Sequence, residues 1–416
     1  MAAAVWRDGN VLRWLGAYAA SLVGDGIYFL ALGWAAAQTA GPAEVGVVMA
    51  AGAVPRALLM LGGGVVADRF GPRLVVISSD AVRCAVVLAL AVVLALTSPG
   101  LWALVLVALV FGAVDALFMP AVGALPPRVA APGQLVRVQG MRSLAERVGH
   151  TVGPPVAGLA MGVGGPATAF AVAATLFGLS LALLLTLRIA PLPVAAGAGS
   201  APVDPAPPAR PETSWGQLRS GLDYIRRHGL IGPLVVSGAL SQLGTSAPLT
   251  LGLILLAGER GWGPGGIGWI VGGFGVGAAS SALVLALVPR FPRAGAWQNV
   301  TLIVGSAGIG AVALVPSLAS AVALALVTGL VCGICGGLAV ALIQTATDPA
   351  YLGRVSSVMA FTAVGLAPLA YPAFGLAADL WGITPVFLAG AAVSMAGAVV
   401  GVSAPAVRRA ELSLAV

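Results

Sequence analysis

Long apolar runs, broken at intervals by glycine, proline and arginine, dominate the chain. A helix needs about 20 apolar residues to cross the roughly 30 Å hydrocarbon layer of a membrane, and it satisfies its own backbone hydrogen bonds there. Spans are predicted at residues 12–38, 45–67, 74–97, 101–125, 138–163, 166–188, 231–257, 265–289, 297–316, 319–345, 352–378 and 383–405. The pattern therefore predicts an all-α membrane protein with twelve transmembrane helices.

Composition agrees with lipid as the main solvent. Of the 416 residues, 59% are hydrophobic and only 8% are charged, and the mean hydropathy is +1.02. A water-soluble globule of this size would need far more polar surface. The lipid bilayer is therefore the first expected partner.

The basic residues predict the orientation in the membrane. All basic side chains are arginine, and most of them fall at the termini or in alternate loops, whereas Arg260 alone falls in a loop of the other set. By the positive-inside rule, both termini are predicted to be cytoplasmic in a multi-pass protein of the inner (cytoplasmic) membrane. The same distribution argues against a nucleic-acid partner, although the net charge is +7.

A composition change divides the chain. Residues 189–213 are rich in proline, alanine and glycine, which predicts a linker, and an amphipathic surface helix is predicted after it. The predicted domains are a six-helix bundle at 1–188, a cytoplasmic linker with its amphipathic helix at 189–230, and a second six-helix bundle at 231–416.

The two halves carry traces of a repeat. A shift of 217 residues places proline, glycine and arginine of the fifth span on identical residues of the eleventh. The matched pairs include Pro132 with Pro349, Arg137 with Arg354, Pro155 with Pro372, Gly158 with Gly375 and Gly165 with Gly382. The fifth and eleventh spans are therefore predicted to be equivalent elements of two related halves.

The loop between spans two and three resembles the signature loop of the major facilitator superfamily. The matching residues are Gly64, Asp68, Arg69, Gly71 and Arg73, while Pro72 replaces the usual basic residue. A glycine turn lets two helices meet closely, and the aspartate can pair with a helix end in one conformation and release it in another. This resemblance implies a gating loop; the alternative is a loop whose arginines only fix the topology.

A second motif lies in span five. Its residues are Gly149, Gly153, Pro154, Pro155 and Gly158, and they resemble a motif of the antiporter branches of the same superfamily. Glycines four apart allow close helix packing, and adjacent prolines bend a helix. The resemblance implies export in exchange for an ion; packing alone is the alternative.

Ionisable side chains within apolar spans are costly and therefore informative. Asp25, Asp115 and Glu146 are candidates for proton coupling, since a carboxylate holds its proton more tightly when a conformational change removes water from it. Candidate charge-pair residues are Asp80, Arg83 and Arg142: Asp80 and Arg83 are three residues apart, and Arg142 lies four residues before Glu146 on one face of its helix. The competing interpretation pairs Asp25 and Asp115 permanently with Arg142 or Arg56, so that they only stabilise the bundle.

Two further groups are candidates on weaker patterns. His150 is either a proton shuttle or, more commonly for a lone histidine beside a packing motif, a structural residue. A cavity for a bulky amphipathic molecule would draw on aromatic side chains. The candidates are Tyr28, Phe29, Phe111, Phe118, Phe361 and Tyr371, with Tyr18, Trp34 and Phe274 as further members.

The chain also resembles the subgroup that contains macrolide-efflux and enterobactin-exporter-type proteins. The similar stretches are residues 13–26, 80–83 and 132–137. This resemblance implies two six-helix bundles, a central cavity that opens alternately to each side, and proton-driven export of a bulky amphipathic drug or similar molecule. We expect a monomer that uses the proton gradient and no cofactor or metal.

Other classes fit less well. An enzyme would need clustered carboxylates or metal ligands, which two histidines and scattered acids do not provide. A primary pump would need a phosphate-binding loop with lysine, and the sequence contains no lysine. Within transport, a dedicated exporter of a siderophore or another self-made metabolite stays open, as do, less favoured, an importer and a non-transporting sensor.

Overall fold

The computed structural model describes residues 8–129, 132–187, 214–288 and 290–413. In the first half, the helices are α1 (Gly9–Ala37), α2 (Pro42–Phe70), α3 (Pro72–Leu96), α4 (Leu101–Gly123), the short α5 (Pro126–Val129) and α6 (Leu135–Leu185). A 3-10 turn at Pro132–Gln134 precedes α6. The helical backbone of α6 is broken at Gly164 and Gly165, so α6 crosses the membrane twice. The first half therefore contains six spans.

The second half begins with a surface helix. Its helices are α7 (Ser214–Arg227), α8 (Ile231–Ala247), α9 (Leu253–Glu259), α10 (Gly263–Leu287), α11 (Ala294–Val312), α12 (Leu318–Ala346), α13 (Leu352–Gly365), α14 (Ala367–Trp381), α15 (Ile383–Ser403) and α16 (Pro405–Arg409). A π-helical segment, Pro248–Gly252, joins α8 and α9 into one span, and α13 and α14 form another. This half also has six spans.

The predicted twelve crossings are confirmed. Ten helices of the described chain are long and apolar enough to span a membrane, with the double-crossing α6 counted once. The remaining span is α11, whose Gln298 and Asn299 lower its hydropathy. Strand structure in the described chain is limited to a short antiparallel pair that ties β1 (Arg290–Phe291) to β2 (Leu412–Ser413).

The predicted repeat is visible in the backbone. Span five begins at Leu135 and span eleven at Leu352, which are 217 residues apart. Both spans end at a glycine with positive φ, Gly165 at +71° and Gly382 at +85°. A residue with a Cβ is strained in that conformation, so glycine makes the sharp turn into the next span possible. The equivalence of the two spans is therefore structural as well as sequential.

The core is shared on one side of the membrane and divided on the other. We call the side where α1 begins and α2 ends the arginine-rich side. On the opposite side, one continuous core joins both halves and includes Ile27, Met49, Ile254 and Phe387. On the arginine-rich side, the first half and the second half have separate cores. The halves are therefore packed together on the opposite side and separated on the arginine-rich side.

The helix predicted after the linker forms and is fastened to the second half. The Tyr224 ring of α7 stacks on Tyr351 with ring centroids 4.3 Å apart, and its hydroxyl accepts a hydrogen bond from the backbone N–H of Asp348. Arg354 of α13 donates to Ser220 of α7. The linker at 189–213 lies outside the described residues, so the domain boundaries stay a prediction.

Candidate functional site

A buried cluster of charges lies within the first half, centred on Arg83 of α3. The Arg83 side chain is completely buried. Its Nη1 atom lies 2.9 Å from Asp25 Oδ1 and 3.7 Å from Asp115 Oδ1. Its Nη2 atom donates to Ser21 Oγ at 2.9 Å and to Asp80. Three carboxylates from α1, α3 and α4 therefore converge on one guanidinium group.

Aromatic rings complete the surroundings of Arg83. The guanidinium carbon lies 3.9 Å from the centroid of the Phe118 ring and 5.0 Å from that of Phe177. Phe111 lies slightly farther away and stacks on Tyr28 at 3.7 Å. Because ring faces attract cations, these contacts offset part of the cost of burying the guanidinium.

A second arginine extends the cluster. Arg56 Nε of α2 lies 2.9 Å from Asp115 Oδ2, and the Arg56 side chain stays 29% exposed. Its guanidinium faces the Phe29 ring at 5.8 Å. Asp80 is held in addition by Ser180, which donates to its Oδ2. With every group ionised, three carboxylates and two arginines leave the cluster with one uncompensated negative charge.

The charge pairs expected from spacing form, and only the competing interpretation needs a correction. Asp80 and Arg83 do pair, and Asp115 pairs with Arg56. Arg142, which the competing interpretation placed beside Asp25 or Asp115, lies 3.2 Å from Glu146, as the spacing of these two residues indicated. The reason is spacing: Arg142 and Glu146 are four residues apart and share one face of α6.

Glu146 belongs to a separate polar group, which lies nearer the arginine-rich side than the cluster around Arg83 does. Its Oε1 accepts a 2.6 Å hydrogen bond from the Tyr18 hydroxyl of α1. The Arg142 guanidinium lies over the Tyr18 ring, and the Trp14 ring is stacked with the Tyr18 ring. The Glu146 charge is therefore compensated by Arg142.

A cavity of about 630 Å³ lies between the two halves. Its first wall is a face of α6 with a few residues of α1, and α9 to α12 with the π-helical segment and Phe387 form the other walls. Among its lining residues are Gly26, Phe29, Ser143, Glu146, Arg147, His150, Thr151, Leu249, Thr250, Ile254, Phe274, Val312 and Thr328. Ser143, Arg147 and His150 are exposed, whereas Ile254 and Val312 are buried. The cavity therefore opens toward the arginine-rich side and is closed by apolar residues on the opposite side.

The aromatic cavity candidates also need correction. Phe29 and Phe274 line the cavity. Phe111 and Phe118 are buried around Arg83, and Tyr28 is buried against Phe111, so none of the three lines the cavity. The remaining candidates, Tyr18, Trp34, Phe361 and Tyr371, are also outside its lining. Helix rotation decides which side of each span faces the cavity, and the sequence of one chain does not fix that rotation.

One lining residue, Arg147, was missed at the sequence level. Arg147 lies near the middle of its span. The polar residues of α6 that line the cavity recur at helical spacing, and they are Ser143, Glu146, Arg147, His150 and Thr151. This polar stripe in an apolar span was the available signal. His150 lies in the same stripe, so it faces the cavity.

The predicted gating loop forms a minimal turn. Gly71, with φ of +83°, is the single residue between α2 and α3. Arg73 donates to the carbonyl oxygen of Leu185 at the end of α6. Gly64, Asp68 and Arg69 are exposed, and within the described chain Asp68 makes no hydrogen bond or ion pair. Apart from this contact of Arg73, the loop is exposed on the arginine-rich side, where the halves are separated.

The motif of span five packs against both halves. A Cβ at Gly149 would lie 2.6 Å from Leu22 of α1, and one at Gly153 would meet Gly26 of α1. The other side of the motif faces α10. A Cβ at Gly158 would lie 2.7 Å from the Pro264 carbonyl oxygen. The motif therefore joins α1 to the interface between the halves.

The other half supplies an equivalent contact. A Cβ at Gly375 of α14, the repeat partner of Gly158, would lie 2.5 Å from the Pro42 carbonyl oxygen of α2 and 3.2 Å from Gly46. The two halves therefore make two equivalent close backbone contacts, α6 with α10 and α14 with α2, on the side opposite the arginine-rich side. Both contacts lie where the two halves share a core.

Twelve spans in two pseudo-symmetric halves around a central cavity define a multi-pass membrane transporter. The family model described as Major Facilitator Superfamily matches residues 14–370. The chain belongs to the major facilitator superfamily.

Curated relatives and solved structures agree with this assignment. The chain is 29% identical to the multidrug efflux pump Tap of Mycobacterium tuberculosis over 412 residues, 94% of this chain and 92% of that protein. It is 25% identical to the enterobactin exporter EntS of Escherichia coli over 297 residues, 71% of this chain and 68% of that protein.

The fold is also that of solved transporters. An inward-facing, occupied bacterial homologue of the human lysosomal transporter Spinster gives a TM-score of 0.71 at 14% identity, over 98% of this chain and 97% of that one. The nucleoside transporter NupG gives 0.70 at 14% identity, over 94% and 98%. At this identity the likeness concerns the fold alone.

Proposed function

We propose that the chain is a secondary active exporter that moves a bulky amphipathic small molecule out of the cell in exchange for protons, by alternating access. The names of its relatives, a multidrug efflux pump and an enterobactin exporter, support export. A cavity of about 630 Å³ falls within the roughly 300–1,000 Å³ range of pockets for drug-sized ligands.

The observation that carries proton coupling is the charge imbalance around Arg83. Three carboxylates, Asp25, Asp80 and Asp115, face two arginines. An uncompensated charge at membrane depth is costly, and one proton on a carboxylate would neutralise the cluster. Asp25 is the natural entry point, because it keeps 13% side-chain exposure and precedes Gly26 of the cavity wall.

Alternating access then couples the binding and release of this proton to the transport of substrate. With the cavity open, water reaches Asp25 and favours the ionised form; with the cavity closed, desolvation favours the protonated form. The side-chain-free contacts at Gly158 and Gly375 would separate when the opposite side opens. As the arginine-rich side closes, Asp68 would pair with the end of a neighbouring helix. The cycle carries protons inward and substrate outward.

The orientation follows from the arginines. We propose that the arginine-rich side is cytoplasmic, so that both termini lie in the cytoplasm of a cell whose inner membrane holds the protein. In this orientation the cavity faces the cytoplasm and accepts substrate from it. One chain supplies both halves of the cavity, so a monomer is the proposed working unit.

A dedicated exporter of a siderophore or another self-made metabolite is the second candidate. The similarity to an enterobactin exporter favours it. Both candidates use the same cavity and the same exchange, and they differ in the range of molecules carried.

The test is accumulation of fluorescent drugs in inverted vesicles, with and without an imposed proton gradient. We expect gradient-driven uptake that Asp25→Asn and Asp68→Asn abolish, the first through coupling and the second through gating. Glu259→Gln is the matched control, because Glu259 is exposed on the opposite side. Uptake indifferent to the gradient would overturn proton exchange, and full gradient-driven uptake in Asp25→Asn would remove Asp25 from it. If no tested drug accumulates, a narrow metabolite exporter becomes the better assignment.

A further inference from the structure

Arg147 is a cation at membrane depth that faces the central cavity. It lies near the middle of the span that runs from residue 135 to the break at Gly164. Its side chain is exposed and lines the cavity. Within the described chain it makes no ion pair or hydrogen bond. A charge in this position is expensive and is rarely kept without a use.

The remaining lining residues do not balance this charge. The ionisable residues of the described cavity wall are Glu146, Arg147 and His150. Glu146 already has Arg142 at 3.2 Å and the Tyr18 hydroxyl at 2.6 Å. Elsewhere the wall is aliphatic, aromatic or carries neutral hydroxyls. Arg147 is therefore the uncompensated charge of the cavity.

We propose that the transported molecule is an amphipath with an anionic end, such as a carboxylate, sulfonate or deprotonated phenol, and that Arg147 binds this end. Arginine presents a planar set of donors that matches an anion with two oxygens. The apolar body would lie deeper in the cavity, against Phe29, Ile254 and Phe274. This proposal rests on the proposed function only in taking the cavity as the transport path.

An anionic substrate also suits export. Moving an anion out while a proton moves in transfers two charges in the direction that an inside-negative membrane potential favours. A neutral substrate would use that potential once per exchange, and a monovalent cation would not use it at all. The same proton therefore drives an anionic substrate further uphill.

Two dyes with one scaffold and opposite charge provide the test. Fluorescein is anionic and rhodamine 123 is cationic, and both have a xanthene core. Binding to the purified full-length protein in detergent, without a gradient, is measured by fluorescence anisotropy. We expect fluorescein to bind more tightly than rhodamine 123. Arg147→Gln should weaken fluorescein binding by about tenfold or more, as expected for loss of a charge-assisted hydrogen bond, and should not weaken rhodamine binding.

Matched variants separate this role from general charge. Arg137→Gln removes an equal charge from an exposed position of the same helix and should leave both affinities unchanged, while Arg147→Lys should retain part of the fluorescein affinity. Size-exclusion profiles and thermal unfolding establish that each variant is folded.

Three results would overturn the proposal: tighter binding of rhodamine 123 than of fluorescein, no saturable fluorescein binding, or equal behaviour of Arg147→Gln and Arg137→Gln. Because no gradient is present, the outcome is independent of proton coupling. Anion-selective binding, together with uptake that is indifferent to the proton gradient, would refute the exchange mechanism and leave this assignment standing.

Discussion

Adding one methyl group at Gly158 should shift the conformational equilibrium of the transporter. A Cβ there would lie 2.7 Å from the Pro264 carbonyl oxygen, 3.1 Å from Gly265 Cα and 3.4 Å from Gly268 Cα of α10. Gly162, one turn further along the same helix, faces open space, with nothing within 4 Å of a built Cβ. Gly158→Ala and Gly162→Ala are therefore a matched pair.

The size of the effect follows from this geometry. Ordinary contact begins at 3.4 Å, so α6 and α10 must separate by about 0.7 Å to admit the methyl group. Overpacking of this kind costs about 1–3 kcal/mol, and only the conformation in which the halves are packed on the opposite side bears that cost. Alanine also gains up to about 1 kcal/mol of helix propensity, equally in both variants and both conformations. The equilibrium should thus shift by about 5- to 150-fold toward the other conformation.

Labelling of a cysteine at the cavity mouth reports this shift. Ser143 is exposed and lines the cavity, so Ser143→Cys, with the three native cysteines replaced by alanine, should react with a membrane-impermeant maleimide in inverted vesicles. In Gly158→Ala we expect slower labelling, by at most the calculated factor, and slower transport. In Gly162→Ala we expect the labelling and transport rates of the parent.

Equal labelling rates in the two glycine variants would refute the reasoning, because the contact with α10 would then not control closure. The repeat offers an independent check. Gly375→Ala affects the equivalent contact with Pro42 of α2 and should slow labelling in the same way.

The other predictions concern stability and local order. Arg83→Met leaves three buried carboxylates without their shared cation, so it should destabilise the protein by about 3–5 kcal/mol. A thermal unfolding midpoint in detergent equal to that of Arg13→Met, an exposed control, would contradict this. Tyr224→Leu removes the ring stacking on Tyr351 and a hydrogen bond, worth about 1–3 kcal/mol together. Hydrogen exchange of α7 should accelerate by at least about fivefold, while Tyr224→Phe, which keeps the stacking, should change it less; equal exchange in both would refute the role of the ring.

The sequence by itself determined the spans and their pairing into two halves. The length of each apolar run predicts a span, because a helix of that length satisfies its own backbone hydrogen bonds within the lipid. Glycines and prolines also carried reliable information: Gly71, Gly165 and Gly382 mark turns with positive φ, and Gly158 and Gly375 mark close contacts. At such positions a side chain would strain the backbone or crowd a neighbouring helix, so the residue type reflects the local structure directly.

Tertiary structure alone decided how the polar residues are grouped. Asp25, Asp80 and Asp115 were visible as buried acids, but their meeting at Arg83 depends on the rotations of three helices about their axes. The rotation of α4 also turned Phe118 toward Arg83, and that of α6 left Arg147 facing the cavity. Hydropathy constrains helix rotation weakly in a membrane, because the lipid and the protein interior are similarly apolar. The buried acids and Arg83 were thus readable from the sequence, whereas their partners and the cavity-lining position of Arg147 followed from the packing of the helices.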